Sequence, residues 1–207
     1  MRITHFGQSC LLVEAGGARL LFDPGAYSTG FEQLTGLDAV LVTHQHPDHL
    51  DPARLPALLA ANPGATLVLD PGSAEQHPDL GAITAEPGAE LELGSARVRV
   101  LAAPHEAIHP AIPLPPNVGY LVDGFYHPGD SLAPPGEPVD VLGLPAAAPW
   151  LKLSEAADFL AAIAPRVAVP IHQAVLADPT LHHTVLTSTA PAGTSVVVLA
   201  PGEPTEV

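Results

Sequence analysis

Length, composition and charge already exclude several classes of protein. The chain has 207 residues, and 47% of them are apolar, which is enough for a sizeable core. Twenty-two acidic residues against seven basic ones give a formal net charge of −15, so no nucleic-acid partner is expected, because phosphate backbones are bound by clustered Lys and Arg. The single cysteine, Cys10, excludes an internal disulfide. No apolar stretch approaches the roughly 20 residues of a membrane span, and no signal peptide is visible. We therefore expect a cytoplasmic protein without membrane contacts. A homo-oligomer is compatible with these features.

The first half of the chain predicts short strands separated by turns. Gly16-Gly17 is typical of a hairpin turn between two of them. A β-branched apolar run, Ala39 to Thr43, is too short for a helix and predicts a buried strand. Asp51 is a candidate N-cap for a helix. The predicted strands are Ile3 to Phe6, Cys10 to Glu14, Ala18 to Phe22, Ala39 to Thr43 and Thr66 to Leu69, and the predicted helix is Pro52 to Ala61.

The second half alternates strands with two helices. Strand-like pieces flank Gly94, and Asp123-Gly124 is typical of a second hairpin turn. Ser154 is a candidate N-cap. The predicted strands are Ala96 to Leu101, Gly119 to Val122, Phe125-Tyr126, Val139 to Leu144, Val167 to Pro170 and Ser195 to Leu199, and the predicted helices are Ser154 to Ala164 and Pro179 to Thr187. Periodicity alone gives an α/β or α+β domain.

The densest group of polar residues is the run Thr43-His44-Gln45-His46-Pro47-Asp48-His49. Three imidazoles and a carboxylate follow directly on a buried strand. Such ligands suit zinc, iron or manganese. A polar surface loop is the alternative, but a surface loop has no reason to follow a Val/Leu strand with this spacing. The run therefore predicts a metal site.

Further candidate ligands follow later strands. His105 comes after the strand that ends near Leu101, Asp130 after the second hairpin, and His172 after the strand from Val167. A lone histidine at a strand end is more often a satisfied polar residue than a ligand. Three such residues, each just after a predicted strand, indicate together that loops converge on one place.

The pattern T-H-x-H-x-D-H, then His105, then Gly129-Asp130, then His172 resembles the metallo-β-lactamase superfamily. It is more closely similar to the ascorbate-6-phosphate lactonase-like branch and to uncharacterised actinobacterial members. The likeness extends over the whole chain through H-F-G-Q-S-C-L-L-V-E near the start, L-F-D-P-G at 21–25, N-V-G-Y-L-V-D-G at 117–124 and V-P-I-H at 169–172.

This resemblance implies one α+β domain over residues 1–207, an αββα sandwich with the site at one edge between the sheets. It implies two divalent metal ions, zinc before manganese or iron. The first ion is assigned His44, His46 and His105; the second is assigned Asp48, His49 and His172; Asp130 bridges both, and Asp23 steadies the ligand loop.

Two positions depart from the family pattern. Most relatives have G-H-S where this chain has Gly7-Gln8-Ser9, and many have I-H-D where it has Ile171-His172-Gln173. Neither change removes an implied ligand, but both are expected to alter hydrogen bonds around the ligands or contacts with substrate.

Four polar or aromatic residues are assigned roles outside the ligand set. His109 and Lys152 are candidates for substrate contact, Lys152 as an anion contact. His127, just before Gly129-Asp130, is a candidate for orienting a ligand. Trp150 is a candidate for lining a pocket, but packing between helices is the favoured interpretation.

The implied activity is hydrolysis by a metal-bound hydroxide, with a small ester, lactone or phosphoester as substrate. Asp130 and Asp48 are the candidate catalytic residues, Asp48 as acceptor of a proton from the attacking water. No Ser or Cys nucleophile motif competes with this mechanism. Two alternatives remain: a mononuclear iron dioxygenase of the persulfide type and a non-catalytic metal-binding module.

Overall fold

The computed structural model describes residues 1 to 207 and consists of two β-sheets with helices on their outer faces. The first sheet contains β1 (Arg2–His5), β2 (Leu11–Ala15), β3 (Ala18–Phe22), β4 (Ala39–Leu41), β5 (Thr66–Leu69), β6 (Ile83–Thr84) and β14 (Thr205–Glu206). The second contains β7 (Glu90–Leu93), β8 (Ala96–Ala102), β9 (Val118–Val122), β10 (Phe125–His127), β11 (Val141–Pro145), β12 (Val167–Ile171) and β13 (Ser195–Val196). The helices are α1 (Leu55–Ala61), α2 (Pro71–Gln76), α3 (Leu153–Ile163) and α4 (Thr180–Thr189).

Both sheets are mixed. The first has the order β14-β1-β2-β3-β4-β5-β6, and the second has the order β13-β12-β11-β10-β9-β8-β7. In each sheet antiparallel hairpins lead into parallel strands, from β3 to β6 in the first and from β10 to β13 in the second. Parallel strands require crossover connections, and helices occupy several of them.

The alternation of side chains along the strands explains why both faces of the first sheet are buried. Leu20 and Phe22 of β3 point into the core between the sheets, while Leu21 between them faces the opposite way. There Leu21 packs with Leu55 and Leu58 of α1. Strands buried on both faces are apolar at every position, as this stretch is.

The second sheet is covered in the same way. Tyr120 and Phe125 lie in the central core, where their rings approach Phe22 with centroid distances of 5.9 and 5.5 Å. On the outer face, Phe159 of α3 and Leu186 of α4 belong to a separate buried cluster. The layer order is helix, sheet, sheet, helix, and the predicted αββα sandwich is confirmed.

The Gly16-Gly17 turn shows how local sequence determines register. Both glycines have positive φ, 59° and 80°, which is the geometry of the tight turn that matches strand twist. The turn pairs Leu11 with Phe22 and Val13 with Leu20, so that these side chains lie on the same face of the hairpin.

Two predicted helix starts need correction. The first helix begins at Leu55 and not at Pro52, because Asp51 accepts hydrogen bonds from the backbone N–H groups of Ala53 and Arg54 in a turn that precedes it. The third helix is capped at Lys152 and not at Ser154, since Glu155 accepts from the Lys152 backbone N–H at 2.9 Å.

Helix α2 was not predicted, although the sequence carries a signal for it. Asp70 caps the helix through hydrogen bonds from the N–H groups of Gly72 and Ser73, and Pro71 is its first residue. An N-cap residue followed by proline is a typical helix start. None of the helices is both long and apolar enough to cross a membrane.

Candidate metal centre

The candidate ligands are carried by loops at one edge of the sandwich. The run His44 to His49 follows β4, His105 follows β8, Asp130 follows β10 and His172 follows β12 directly. All but His46 and Asp48 are buried. The structure therefore brings together residues that are up to 128 positions apart in sequence, from 44 to 172.

The seven side chains form two groups. Within each group the potential ligand atoms lie within 4.8 Å of one another. The first group is His44, His46, His105 and Asp130, and the second is Asp48, His49 and His172. The resemblance implied His44, His46 and His105 for one ion, Asp48, His49 and His172 for the other and Asp130 for both, and this assignment stays a prediction.

Asp130 stands between the two groups. Its Oδ1 atom lies 3.1 Å from His49 Nε2 and 3.2 Å from His172 Nε2, in the second group. Its Oδ2 atom lies 3.5 Å from His105 Nε2 and 3.9 Å from His44 Nε2, in the first group. One carboxylate thus presents one oxygen to each group.

In the first group three ring nitrogens face one another. His46 Nδ1 lies 3.0 Å from His44 Nε2 and 3.3 Å from His105 Nε2. The other ring nitrogen of His105, Nδ1, carries a proton, because it donates to the carbonyl oxygen of Glu106 at 2.6 Å. His44 Nδ1 lies 3.1 Å from Thr43 Oγ1, whose proton goes to Asp23. Both Nε2 atoms therefore carry lone pairs toward His46.

In the second group the outer nitrogens are held in the same way. His49 Nδ1 donates to Asp23 Oδ2 at 2.7 Å, and His172 Nδ1 donates to the carbonyl oxygen of Ala147 at 2.7 Å. The Nε2 atoms of His49 and His172 and the Oδ1 atom of Asp130 are buried without a hydrogen-bond partner. Nitrogen and carboxylate lone pairs directed at one buried place are stabilised by positive charge between them, either a proton or a metal ion. The donor set of both groups therefore fits divalent metal ions.

The electrostatics favour positive charge at the same place. Burial disfavours a charged His172, yet Asp130 and Asp48 raise its pKa to about 9. Burial also opposes ionisation of Asp130, but His49 and His172 outweigh it and hold the pKa of this carboxyl well below its usual range. Burial lowers the pKa of His44 well below its usual value, which keeps that ring in the neutral form that binds metals.

Asp23 lies at the centre of the supporting hydrogen bonds, as the resemblance implied. It is fully buried and accepts from the Thr43 backbone N–H at 2.7 Å, from Thr43 Oγ1 at 2.8 Å and from His49 Nδ1 at 2.7 Å. The following Gly25 is required by space, since a Cβ atom there would lie 1.9 Å from the carbonyl oxygen of Asp48. This contact accounts for the D-P-G sequence.

The other candidate residues occupy different positions. His127 is buried, its Nε2 donates to the Ser9 carbonyl oxygen at 3.0 Å, and its Nδ1 accepts from the Gly129 N–H at 3.2 Å. It thereby holds the turn that carries Asp130. His109 lies in an exposed loop, where its Nδ1 accepts from the Ala111 N–H. Lys152 is exposed and its Nζ pairs with Glu155 at 3.1 Å.

Sequence reasoning favoured helix packing for Trp150 and missed its contact with Asp130. Its indole Nε1–H donates to Asp130 Oδ2 at 2.8 Å, and its ring lies beside His105 and His172. It contacts the site and does not pack between helices. A single tryptophan in the loop after β11 was the available signal, but no sequence pattern gives the direction of its N–H group.

Gln8 and Asn117 are two further residues whose contacts emerge from the structure. Gln8 donates from Nε2 to Asp48 Oδ2 at 2.8 Å and accepts from the Ala174 N–H at 2.9 Å. Asn117 donates to the carbonyl oxygens of Ala103 and Pro128 and accepts from the Asp130 N–H. Gln8, which stands where most relatives have the histidine of G-H-S, therefore contacts a candidate ligand directly.

Backbone strain is concentrated at this edge. Gln8, Asp23 and His172 have positive φ values of 45°, 46° and 64°. Such conformations are uncommon for residues other than glycine and cluster at functional sites. All three residues make hydrogen bonds that fix candidate ligands, so the surrounding contacts offset the strain.

Comparison with known proteins identifies the superfamily of the chain. The family model described as beta-lactamase superfamily domain matches residues 2–172. The chain belongs to the metallo-β-lactamase superfamily. The predicted membership is confirmed at the level of this superfamily, and the match does not extend to a branch within it.

The relatives of this metallo-β-lactamase-fold protein cover most of its length. Protein Rv0786c of Mycobacterium tuberculosis is 54% identical over 189 residues, 86% of each chain. A UPF0173 metal-dependent hydrolase of Opitutus terrae is 30% identical, and the alignment covers 100% of both chains. Among solved structures, Igni18, a metallo hydrolase from Ignicoccus hospitalis, has a TM-score of 0.75 at 23% identity and covers 99% of this chain and 97% of that one.

Proposed function

We propose that this protein is a metal-dependent hydrolase of a small substrate. The observation that carries the proposal is the position of Asp130, whose two carboxylate oxygens face two separate groups of buried ligand atoms. A bridging carboxylate between two such groups is the arrangement of a two-metal site. Similarity to relatives named metal-dependent hydrolases supports the same activity.

The residues that would hold the ions follow from the two groups. His44, His46 and His105 would bind one ion, Asp48, His49 and His172 the other, and Asp130 both. This mixture of imidazoles and carboxylates suits zinc, and manganese or iron are the alternatives. When bound, a pair of such ions lowers the pKa of water and stabilises negative charge that develops on a carbonyl or phosphoryl oxygen.

Side chains of this chain would orient the reactants and accept the proton. Trp150 fixes Asp130 through its bond to Oδ2, and Gln8 fixes Asp48 through its bond to Oδ2. Asp48 Oδ2 also lies 3.6 Å from His49 Nε2 and 3.3 Å from His172 Nε2. We assign Asp48, which lines the cavity over the site, as acceptor of the proton from the attacking water.

No other side chain competes as nucleophile. Cys10 is completely buried in β-sheet packing, and burial raises the pKa of its thiol well above the usual value. Substrates that suit the proposed mechanism are esters, lactones and phosphoesters, because each has a polar oxygen on which negative charge develops.

The test is a comparison of metal content with product formation. Protein purified without added metal is analysed for zinc, manganese and iron, and then assayed with a lactone, a carboxylic ester and a phosphodiester. We expect close to two ions per chain and turnover that a chelator abolishes and zinc or manganese restores. Consumption of dioxygen, or rescue by a single iron alone, would replace this proposal with the dioxygenase. Full metal content without turnover of any substrate would favour the metal-binding module.

The contact between Trp150 and Asp130 gives a separate prediction. Trp150→Phe keeps an aromatic ring but removes the N–H donor, so that Asp130 is less firmly oriented. Loss of a partner that orients a ligand typically lowers metal affinity or activity by about 10–100-fold. We expect a decrease of that size in kcat, measured by steady-state kinetics at saturating metal.

Tyr126→Phe is the matched control for this variant. It also removes one aromatic donor, the hydroxyl that donates to the Ala133 carbonyl oxygen, but touches no candidate ligand. We expect kcat to change less than about twofold, since this bond contributes only to stability. Equal decreases in the two variants would refute an orienting role for Trp150.

A further inference from the structure

The cavity above the candidate ligands has an apolar wall. It has a volume of about 200 Å³, which is less than the roughly 300–1,000 Å³ of sites for drug-sized ligands. Five of its eleven lining residues are candidate ligands. The other six are Tyr27, Pro47, Ile108, Pro149, Trp150 and Val175. Apart from the candidate ligands, no charged side chain lines the cavity.

Three apolar side chains at the mouth of the cavity are exposed to solvent, although burial of apolar side chains is favourable. Tyr27, Ile108 and Val175 are 59%, 42% and 44% exposed. They belong to three different loops, after β3, β8 and β12, yet meet around one opening. Exposed apolar side chains that converge on a polar centre mark a place where an apolar ligand is bound.

No Lys or Arg side chain lines the cavity. All seven Lys and Arg residues lie within 4.0 Å of a carboxylate elsewhere on the surface. Lys152 does not line the cavity but an adjoining depression, which shares Ile108, Pro149 and Trp150 with it. There its Nζ pairs with Glu155 at 3.1 Å. With a net charge of −15, the protein disfavours the approach of a negatively charged group that does not itself reach the ions.

We propose that the substrate is uncharged outside the group that is hydrolysed and carries a small apolar substituent, which binds against Tyr27, Ile108, Trp150 and Val175. This inference rests on the proposed hydrolytic function and narrows its substrates. Neutral acyl esters and lactones fit the cavity, and substrates with a free carboxylate or a phosphate beyond the scissile bond do not.

Binding of hydroxamic acids to the metal-loaded protein tests this inference without requiring turnover. A hydroxamate binds divalent cations through its two oxygens. The dependence of affinity on its alkyl chain therefore measures contact with the apolar residues of the cavity. The probes are acetohydroxamic, butanohydroxamic and hexanohydroxamic acid, and the analogue of the last with a carboxylate in place of the terminal methyl group. Affinity is measured by isothermal titration calorimetry.

We expect affinity to increase up to about fourfold per methylene, which corresponds to the ~0.8 kcal/mol gained on burying one CH₂ group. The carboxylate analogue should bind at least about tenfold more weakly than hexanohydroxamic acid. Equal affinity across the series, tighter binding of the carboxylate analogue, or no binding of any hydroxamate would overturn the inference.

A charge placed at the mouth should reverse the selectivity. Val175→Lys adds a cation at a half-exposed position and is expected to improve binding of the carboxylate analogue relative to hexanohydroxamic acid about tenfold. Val198→Lys is the matched control, because Val198 is 50% exposed and does not line the cavity. A similar change in both variants would contradict a specific role for the mouth.

The same reagents separate this inference from the proposed function. Discrimination among hydroxamates without hydrolysis of any ester would support the apolar binding surface at the mouth and would remove the hydrolase, together with the substrate assigned to it. Hydrolysis with a preference for carboxylate-bearing esters would leave the hydrolase standing and remove the inference.

Discussion

Replacing Asp130 with alanine is expected to abolish turnover and to reduce the metal content below two ions per chain. Its two oxygens face both groups of candidate ligands, so one substitution removes a ligand from each. Stabilisation of developing charge by a two-metal site contributes several kcal/mol, and each 1.4 kcal/mol is about tenfold in rate, so we expect kcat to decrease by about 10³-fold or more. Metal analysis after dialysis and steady-state kinetics measure the two effects.

Asp140→Ala is the control for loss of a carboxylate. Asp140 pairs with Arg166 at the surface, where its side chain is 50% exposed. Exposed ion pairs contribute about 0–1 kcal/mol, so metal content and kcat should not change. An Asp130→Ala protein that retains two ions and at least a tenth of the activity would refute the bridging role.

Replacing Asp23 with alanine is expected to affect both stability and metal binding. The carboxylate accepts three hydrogen bonds in a fully buried place, and its loss leaves the donors of Thr43 and His49 without partners. An unsatisfied buried donor costs roughly 1–3 kcal/mol, and we expect the free energy of unfolding to fall by roughly 3–5 kcal/mol. Chemical denaturation followed by circular dichroism measures this change.

Asp23→Asn separates the two effects if the alanine variant does not fold. The amide oxygen can still accept from Thr43, but the NH₂ group cannot accept the proton of His49 Nδ1. His49 then loses the partner that directs its Nε2 lone pair toward the site, and we expect metal affinity to fall by about 10–100-fold.

Asp70→Ala provides the comparison for Asp23. Asp70 is also a fully buried aspartate, but it caps α2 and touches no candidate ligand. Loss of an N-cap costs about 1 kcal/mol, without an effect on metal affinity. Unchanged metal affinity in Asp23→Asn would show that Asp23 contributes to stability alone.

Most strands could be predicted because their signals are local. The Gly16-Gly17 turn, the apolar run of β4 and the hairpin at Asp123-Gly124 each lie within a few residues, and the structure has all three elements. The ends of the helices were predicted less accurately. Asp51 and Ser154 have side chains that can cap a helix. Each helix nevertheless begins at another residue, because the actual start depends on contacts beyond the local sequence.

By itself the sequence determined the ligand types, their position after strands and, through its resemblance, the superfamily. These follow from residue identity and from spacing along the chain. The tertiary structure alone decided which atoms meet: that each Asp130 oxygen faces a different group, that His46 presents Nδ1 while its neighbours present Nε2, and that Trp150 and Gln8 donate to the two carboxylates. The apolar wall of the cavity was likewise decided by the tertiary structure, because Tyr27, Ile108 and Val175 come from loops far apart in sequence. Such contacts depend on rotamers and on the packing of two sheets against each other, and no local pattern in the chain encodes them.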